Sequence, residues 1–386
     1  MLWINFLHLY QPANSEAYRI EEANDLSYKR IVKALLKNKN IKFTFNISGC
    51  LVERLVELKQ FDLIKKINIL LERKQIELVG SAAYHALLPL IGKKEIIWQI
   101  TEQERIIKKY FPKAKLKGFF LPEMAYSPRV AKIIKNEGYK WLILDEISYS
   151  GKSDIDFDDI YIDKKSELKI IFRSRRLSNS YVPEKIIELL KKKDNIDKTI
   201  ITATDGELYG LRHNDNKKIF EKSLKTGNFK TMLISDYIKK NNNNNKVFLR
   251  DSNWESTEKY LKNKKPFHLW YNDRNKIQSN LWDFVSLATK LINKYKKDQN
   301  YHWAHWHFVR GLASCTFWWA SAYNFKHNFG PRAWSPSEIE RGADEFIRAI
   351  RSLEDSTSRL EKIKAENFLI SIKKMVWVKH WTRHKK

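Results

Sequence analysis

Seven strand-sized apolar runs, with stretches of helical spacing between them, constrain this chain more than any other feature. The runs are residues 2–8, 41–48, 76–81, 116–121, 141–145, 168–172 and 200–204. Between them, residues 27–36, 51–71, 94–110 and 128–137 repeat apolar positions near the helical period. Strands that read as near-continuous apolar runs are buried on both faces, which is the condition of a parallel sheet covered by crossover helices. The alternation therefore predicts an α/β fold built on a parallel sheet, open or closed into a barrel. Between Asp145 and Leu168 the spacing loosens and Asp and Ser accumulate, so the regular alternation is expected to lapse there.

The character of the chain changes after the seventh run. Residues 239–246, a Lys and Asn tract, predict an exposed loop with no packing role. From Lys276 onward, residues 276–297, 302–324, 335–353 and 358–381 each carry helical-period apolar positions, and Ser335-Pro336 is a helix-start signal. A helical bundle is expected after about residue 270. The expected domains are a catalytic barrel over residues 1–265 and a helical bundle over residues 266–386 that completes the active-site cleft.

Charge and cysteine content narrow the functional classes. The net charge is +27, from 72 Lys and Arg against 45 Asp and Glu. The excess is Lys in scattered tracts such as Lys191-Lys192-Lys193 and Lys239-Lys240, with no Arg-rich arm, so no specific nucleic-acid partner is expected. Cys50 and Cys315 are far apart and in no paired pattern, which predicts two buried free thiols and neither a disulfide framework nor a thiolate metal site. The start, MLWINFLHLYQP, has no basic leader, and no apolar run approaches a membrane span. The expectation is a cytoplasmic protein without a membrane partner.

Two carboxylates stand where apolar runs stop. Glu123 lies in GFFLPEMAYSP at residues 118–128, and Asp205 in TIITATDGE at residues 199–207. In parallel α/β folds chemistry sits at such strand ends. Taken singly, each acid reads more readily as a helix cap or first-turn acid, and it is the pair that suggests an acid and a nucleophile. Polar residues accumulate at other strand ends too: His8 and Gln11 follow the first run, and Glu77 and His85 flank the third. If Glu123 and Asp205 face one sugar ring from about 5–5.5 Å, one attacks the anomeric carbon while the other protonates the leaving oxygen; about 6.5–9.5 Å would leave room for water and imply inversion. A metal centre is the competing chemistry. His302, His305 and His307 do not share one helical face well and are interleaved with Trp303 and Trp306, so no metal is expected there. Trp254, Trp270, Trp282, Trp318 and Trp319 supply flat surfaces suited to pyranose rings, part of them core.

HLYQP at 8–12, IELVGSAAYHALLP at 76–89, GFFLPEMAYSP at 118–128 and TDGELYG at 204–210 resemble successive signature regions of glycoside hydrolase family 57. SNWES at 252–256, LWYNDRNKIQSNLW at 269–282 and RGLASCTFWWAS at 310–321 resemble its C-terminal part. The resemblance implies an incomplete (β/α)7 barrel followed by a C-terminal α-helical bundle. It further implies a retaining, metal-free and cofactor-free reaction on α-1,4-glucans or maltooligosaccharides, of the α-amylase or 4-α-glucanotransferase type. Carried over by motif, Glu123 is the nucleophile and Asp205 the general acid/base. His8, Gln11, Glu77 and His85 line the −1 sugar site, with Trp254 and Trp318 as neighbouring aromatics. A catalytically silent glycan-binding protein of the same fold is the alternative. The chain departs from the family pattern at Phe120, often Trp, at Leu211-Arg212-His213, and at Ser174 and Asn179, commonly Asp; these positions bear on specificity.

Overall fold

A computed structural model describes every residue except 151–154, 192–197, 242–243, 323–331 and 384–386. The chain divides into two compact units, one of Met1–Ala83 and Leu88–Trp254, the other of Tyr84–Leu87 and Glu255–Lys386.

The first unit carries the strands β1 (Leu2–Leu9), β2 (Phe43–Ile47), β3 (Ile76–Leu78), β4 (Gly118–Phe119), β5 (Trp141–Asp145), β6 (Ile160–Asp163), β7 (Lys169–Arg173), β8 (Thr199–Asp205), β9 (Lys230–Thr231) and β10 (Asn244–Val247). One sheet runs β3-β2-β1-β8 with β9 also on β1, and the other runs β10-β6-β7-β5-β4. All these pairings are parallel except β6 with β7. The antiparallel pair falls in the segment where the alternation was expected to lapse. Each of the seven runs read from the sequence overlaps one of the strands β1–β5, β7 and β8, because their side chains are largely covered on both faces.

The two sheets are joined on one side at Gly80, whose N–H reaches Gly118 O at 2.9 Å and whose carbonyl accepts from Phe120 N at 2.8 Å. On the other side Ser174 N, just past β7, donates to Ile201 O of β8 at 2.8 Å. The seven strands thus follow one another as β8, β1, β2, β3, β4, β5, β7, with thin joins at β3/β4 and β7/β8, an incomplete (β/α)7 barrel. Glycine is required at the first join by close approach. A Cβ on Gly80 would lie 2.2 Å from the Tyr139 hydroxyl, and one on Gly118 2.1 Å from the Trp141 ring.

Strand alternation then decides what emerges at the carboxyl ends. Ile4 and Phe6 of β1, Trp141 and Ile143 of β5, Ile171 of β7, and Ile201 and Ala203 of β8 share one core. The next residues in the same phase are His8, Asp145, Arg173 and Asp205, so these four stand on the core side at the strand ends. At the opposite end, helix Ile234–Lys240 inserts Ile234, Tyr237 and Ile238 into that core. Its first amides are capped by side chains of the sheet, Ile234 N by Thr44 Oγ1 at 3.1 Å and Ser235 N by Glu77 Oε1 at 3.0 Å. The tract expected to be a loop ends this helix at Lys240 and forms β10 against β6, with residues 242–243 outside the described part. Backbone pairing along an edge needs no apolar side chain, so the tract gave no strand signal. Lys192 and Lys193 of the other basic tract lie outside the described residues.

The second unit is helical, with Lys276–Lys294, Tyr301–Gly311, Ser314–Trp318, Pro336–Arg351 and Asp355–Arg383. Phe284 packs against Phe346 and Phe368, with ring centroids 5.8 and 5.9 Å away. The run 302–324 is broken at Leu312 and Ala313, and its residues 323–324 are not described. The unit begins at Glu255 rather than 266 and takes in Tyr84–Leu87, because Ala86 bridges to Ala313 and Ser314 N donates to His85 O at 3.0 Å. Cys50 is buried as expected. Cys315 is partly exposed, since its short helix turns Thr316 and Phe317 inward instead. Among the described residues no helix is long and apolar enough to cross a membrane.

Candidate active site

The parallel register of β1 and β8 sets His8 beside Asp205. His8 is 2% exposed, and its Nδ1–H donates to Asn46 Oδ1 of β2 at 2.7 Å, which fixes the ring. The ring lies 4.5 Å from Phe120, 5.6 Å from Tyr10 and 6.4 Å from Trp254 between centroids. Burial lowers its pKa to about 4, against the opposing pull of Asp205 and Asn46, so the imidazole is neutral at neutral pH.

Glu123 sits in a tight turn that its neighbours impose. Pro122 opens the turn, and Glu123 and Met124 both take the left-handed region, with φ of 61° and 49°. For side-chain-bearing residues that conformation costs about 1–2 kcal/mol each. The turn is held by Met124 N to Leu121 O at 2.7 Å, Ala125 N to Pro122 O at 3.0 Å and Trp254 N to Glu123 O at 3.1 Å. The Trp254 indole N–H donates to Glu123 Oε2 at 2.9 Å. Trp254 is buried in the shared core, and the Arg173 guanidinium lies 5.2 Å over its ring. Contacts therefore run from Glu123 through Trp254 and His8 to Asp205, so both acids belong to one cluster at the carboxyl ends of the strands.

Asp205 is partly exposed and accepts from Arg212 Nη1 at 2.7 Å through Oδ2. The turn after β8 makes this possible, since Leu211 N and Arg212 N both bond to Glu207 O, at 3.0 and 2.8 Å. Glu207 itself turns inward, 1% exposed, and accepts from Gln11 Nε2 at 3.1 Å and from the Tyr28 hydroxyl. Burial pushes its carboxyl up to about 7; Arg212 opposes the rise and the Asp205 charge adds to it. Tyr28 ends a wide helical turn, Asn24–Tyr28, in which Ser27 Oγ also donates to Glu207 O at 3.2 Å.

Of the eight residues singled out from the sequence, the structure brings Glu123, Asp205, His8 and Trp254 together by direct contact or register. Gln11 joins at one remove, through Glu207. Glu77 stands elsewhere than expected. It is the second residue of a three-residue strand, and Thr44 Oγ1 and Ser235 N hold its half-buried carboxylate at the core-plugging helix. Burial raises its pKa, against these hydrogen bonds. His85 and Trp318 belong to the second unit, where His85 Nδ1 lies 3.0 Å from Ser314 Oγ and Trp318 lies 4.9 Å from Trp319 between centroids.

The sequence reading missed Arg173, Asp145 and Glu146. Arg173 bonds to Asp145 Oδ2 and to Ala203 O of β8, at 2.8 and 2.7 Å. Glu146 Oε1 accepts from Arg175 N at 3.1 Å, and burial raises its pKa, helped by Asp145. The available signal was a charged residue closing each of two apolar runs. Among the described residues no group of three or more His, Cys, Asp or Glu side chains is placed to hold a metal, and His307 pairs with Glu345 at 2.6 Å.

Comparison with known proteins places the chain. It is 27% identical over 224 residues to alpha-amylase 1 of Dictyoglomus thermophilum, covering 56% of this chain and 32% of that protein. It is 26% identical over 234 residues to the 4-alpha-glucanotransferase of Thermococcus litoralis, covering 57% of this chain and 35% of that protein. The matches thus span about a third of these relatives' length. In structure it is similar to the Thermococcus litoralis 4-alpha-glucanotransferase, with a TM-score of 0.72 at 18% identity over 92% of this chain and 59% of the other. It is also similar to an alpha-amylase from Thermotoga maritima, with a TM-score of 0.69 at 12% identity over 97% and 98%. At such identities the likeness is one of fold. The family model for glycosyl hydrolase family 57 matches residues 5–250, a span that holds His8, Gln11, Glu123 and Asp205, and by that match the chain belongs to this family.

Proposed function

We propose that this chain is a retaining glycoside hydrolase or transglycosidase acting on α-1,4-glucans by double displacement. Glu123 attacks the anomeric carbon as the glycosidic bond breaks, and the leaving oxygen takes a proton from Asp205. The product is a β-linked glycosyl-enzyme. Asp205, now a carboxylate, removes a proton from water or from a sugar hydroxyl, which displaces Glu123 and restores the α-configuration. Water gives hydrolysis and a sugar gives transfer, so both outcomes share one intermediate. Relatives carrying each name, an alpha-amylase and a 4-alpha-glucanotransferase, match this chain.

The observation that supports the reading best is the chain of contacts from Glu123 through Trp254 and His8 to Asp205. Trp254 orients Glu123 through its N–H, Arg212 orients Asp205 through Oδ2, and the buried neutral His8 is a hydrogen-bonding wall between them. Product analysis after incubation with maltooligosaccharides is the test. Shorter sugars alone mean hydrolysis, a ladder of longer ones means transfer, and Glu123→Gln should abolish either. Oligosaccharide binding without any turnover in the unaltered protein would replace the enzyme with a glycan-binding protein.

A further inference from the structure

The long helix Asp355–Arg383, 29 residues, is apolar on two opposite faces. Ala365, Leu369, Ile372 and Val376 are buried in the second unit. Leu360, Ile363, Ile370, Val378 and Trp381 lie on the other side, between 54% and 80% exposed. At 3.6 residues per turn these five fall within an arc of about 80°, along a line about 32 Å long. Asn367 and Lys374 complete the line, also exposed, giving alternating steps of three and four residues from 360 to 374. Steps of three and four are the signature of a seam that another helix covers.

We propose that this seam pairs antiparallel with the same helix of a second copy of the chain. Six of the seven residues of the line are symmetric about the point between Ile370 and Ser371, and Ile370 lies next to that point. Antiparallel pairing sets Leu360 against Trp381 of the partner, Ile363 against Val378 and Asn367 against Lys374, with Ile370 beside the two-fold axis. Every position then meets a compatible one, as a two-fold interface made of one self-complementary patch requires. Parallel pairing would instead set Lys374 against Lys374. A lipid surface fits less well, because Asn367 would face acyl chains in mid-seam and the flanks carry Glu361 and Glu366 among their lysines.

Sedimentation and light scattering on the full chain test the proposal. A mass of twice 46.0 kDa is expected. Ile370→Glu should give a monomer with unchanged circular dichroism and melting temperature in the dilute limit, because the side chain is solvent-exposed within one copy. Leu360→Cys and Trp381→Cys proteins should cross-link to each other when mixed and oxidised, and neither to itself. A monomer at all concentrations, a dimer that survives Ile370→Glu, or self-cross-linking of Leu360→Cys would each overturn the arrangement. So would a monomer that binds anionic phospholipid vesicles and loses that binding with Ile370→Glu.

Discussion

His8 and Glu207 are buried ionisable neighbours of Asp205 with opposite effects on stability as pH changes. His8 is lowered from 6.5 to about 4, so its contribution is complete above 6.5 and is lost as pH falls through about 4. Glu207 is raised from 4.5 to about 7, so its contribution is complete below 4.5 and is lost as pH rises through about 7. Glu207→Gln removes the second dependence while retaining an acceptor for Tyr28. Urea unfolding at pH 4.5 and pH 8 should show the unaltered protein losing about 3 kcal/mol relative to this variant on going to the higher pH. A difference independent of pH would mean that Glu207 is ionised in both folded and unfolded chains. At this scale the apolar runs located the strand ends, and His8, Glu123 and Asp205 stand at or just past them. The sequence was silent on Glu207 and Arg173, whose partners lie far away in the chain: Tyr28 and Gln11 for the former, Asp145 and Ala203 for the latter. It misled on Glu77, because composition does not tell how high along a short strand a side chain emerges.

Strands and helices were more legible than single residues, for a physical reason. A strand covered on both faces reads as a near-continuous apolar run, and β1, β2, β5, β7 and β8 read that way apart from hydrogen-bonded polar residues such as Asn5, Thr44 and Thr202. The edge strands β9 and β10 have polar sequences that resemble loops, and β6 is a four-residue strand in an Asp-rich segment. The join of β3 to β4 rests on Gly80 and Gly118, a requirement of close packing that pattern alone does not display. Gly118→Ala would drive a methyl group into the Trp141 ring and should cost about 1–3 kcal/mol, read as a lowered urea midpoint with circular dichroism retained. An unchanged midpoint would mean that the join opens without loss.

For the whole molecule, the alternation of apolar runs and helices predicted an α/β unit up to residue 265 followed by helices, whereas the first unit ends at Trp254. The difference, a start at Glu255 and the capture of Tyr84–Leu87, comes from backbone pairing with Ala313 and Ser314 that no local pattern encodes. The central claim concerns how two acids from different parts of the first unit act on one acetal. It is tested most directly by trapping the intermediate with a 5-fluoro-α-glycosyl fluoride, then peptide mass mapping. A covalent sugar on the peptide containing Glu123, with much slower trapping in Glu123→Gln, is the predicted result. A protein that turns over maltooligosaccharides yet carries the sugar on another residue would contradict it.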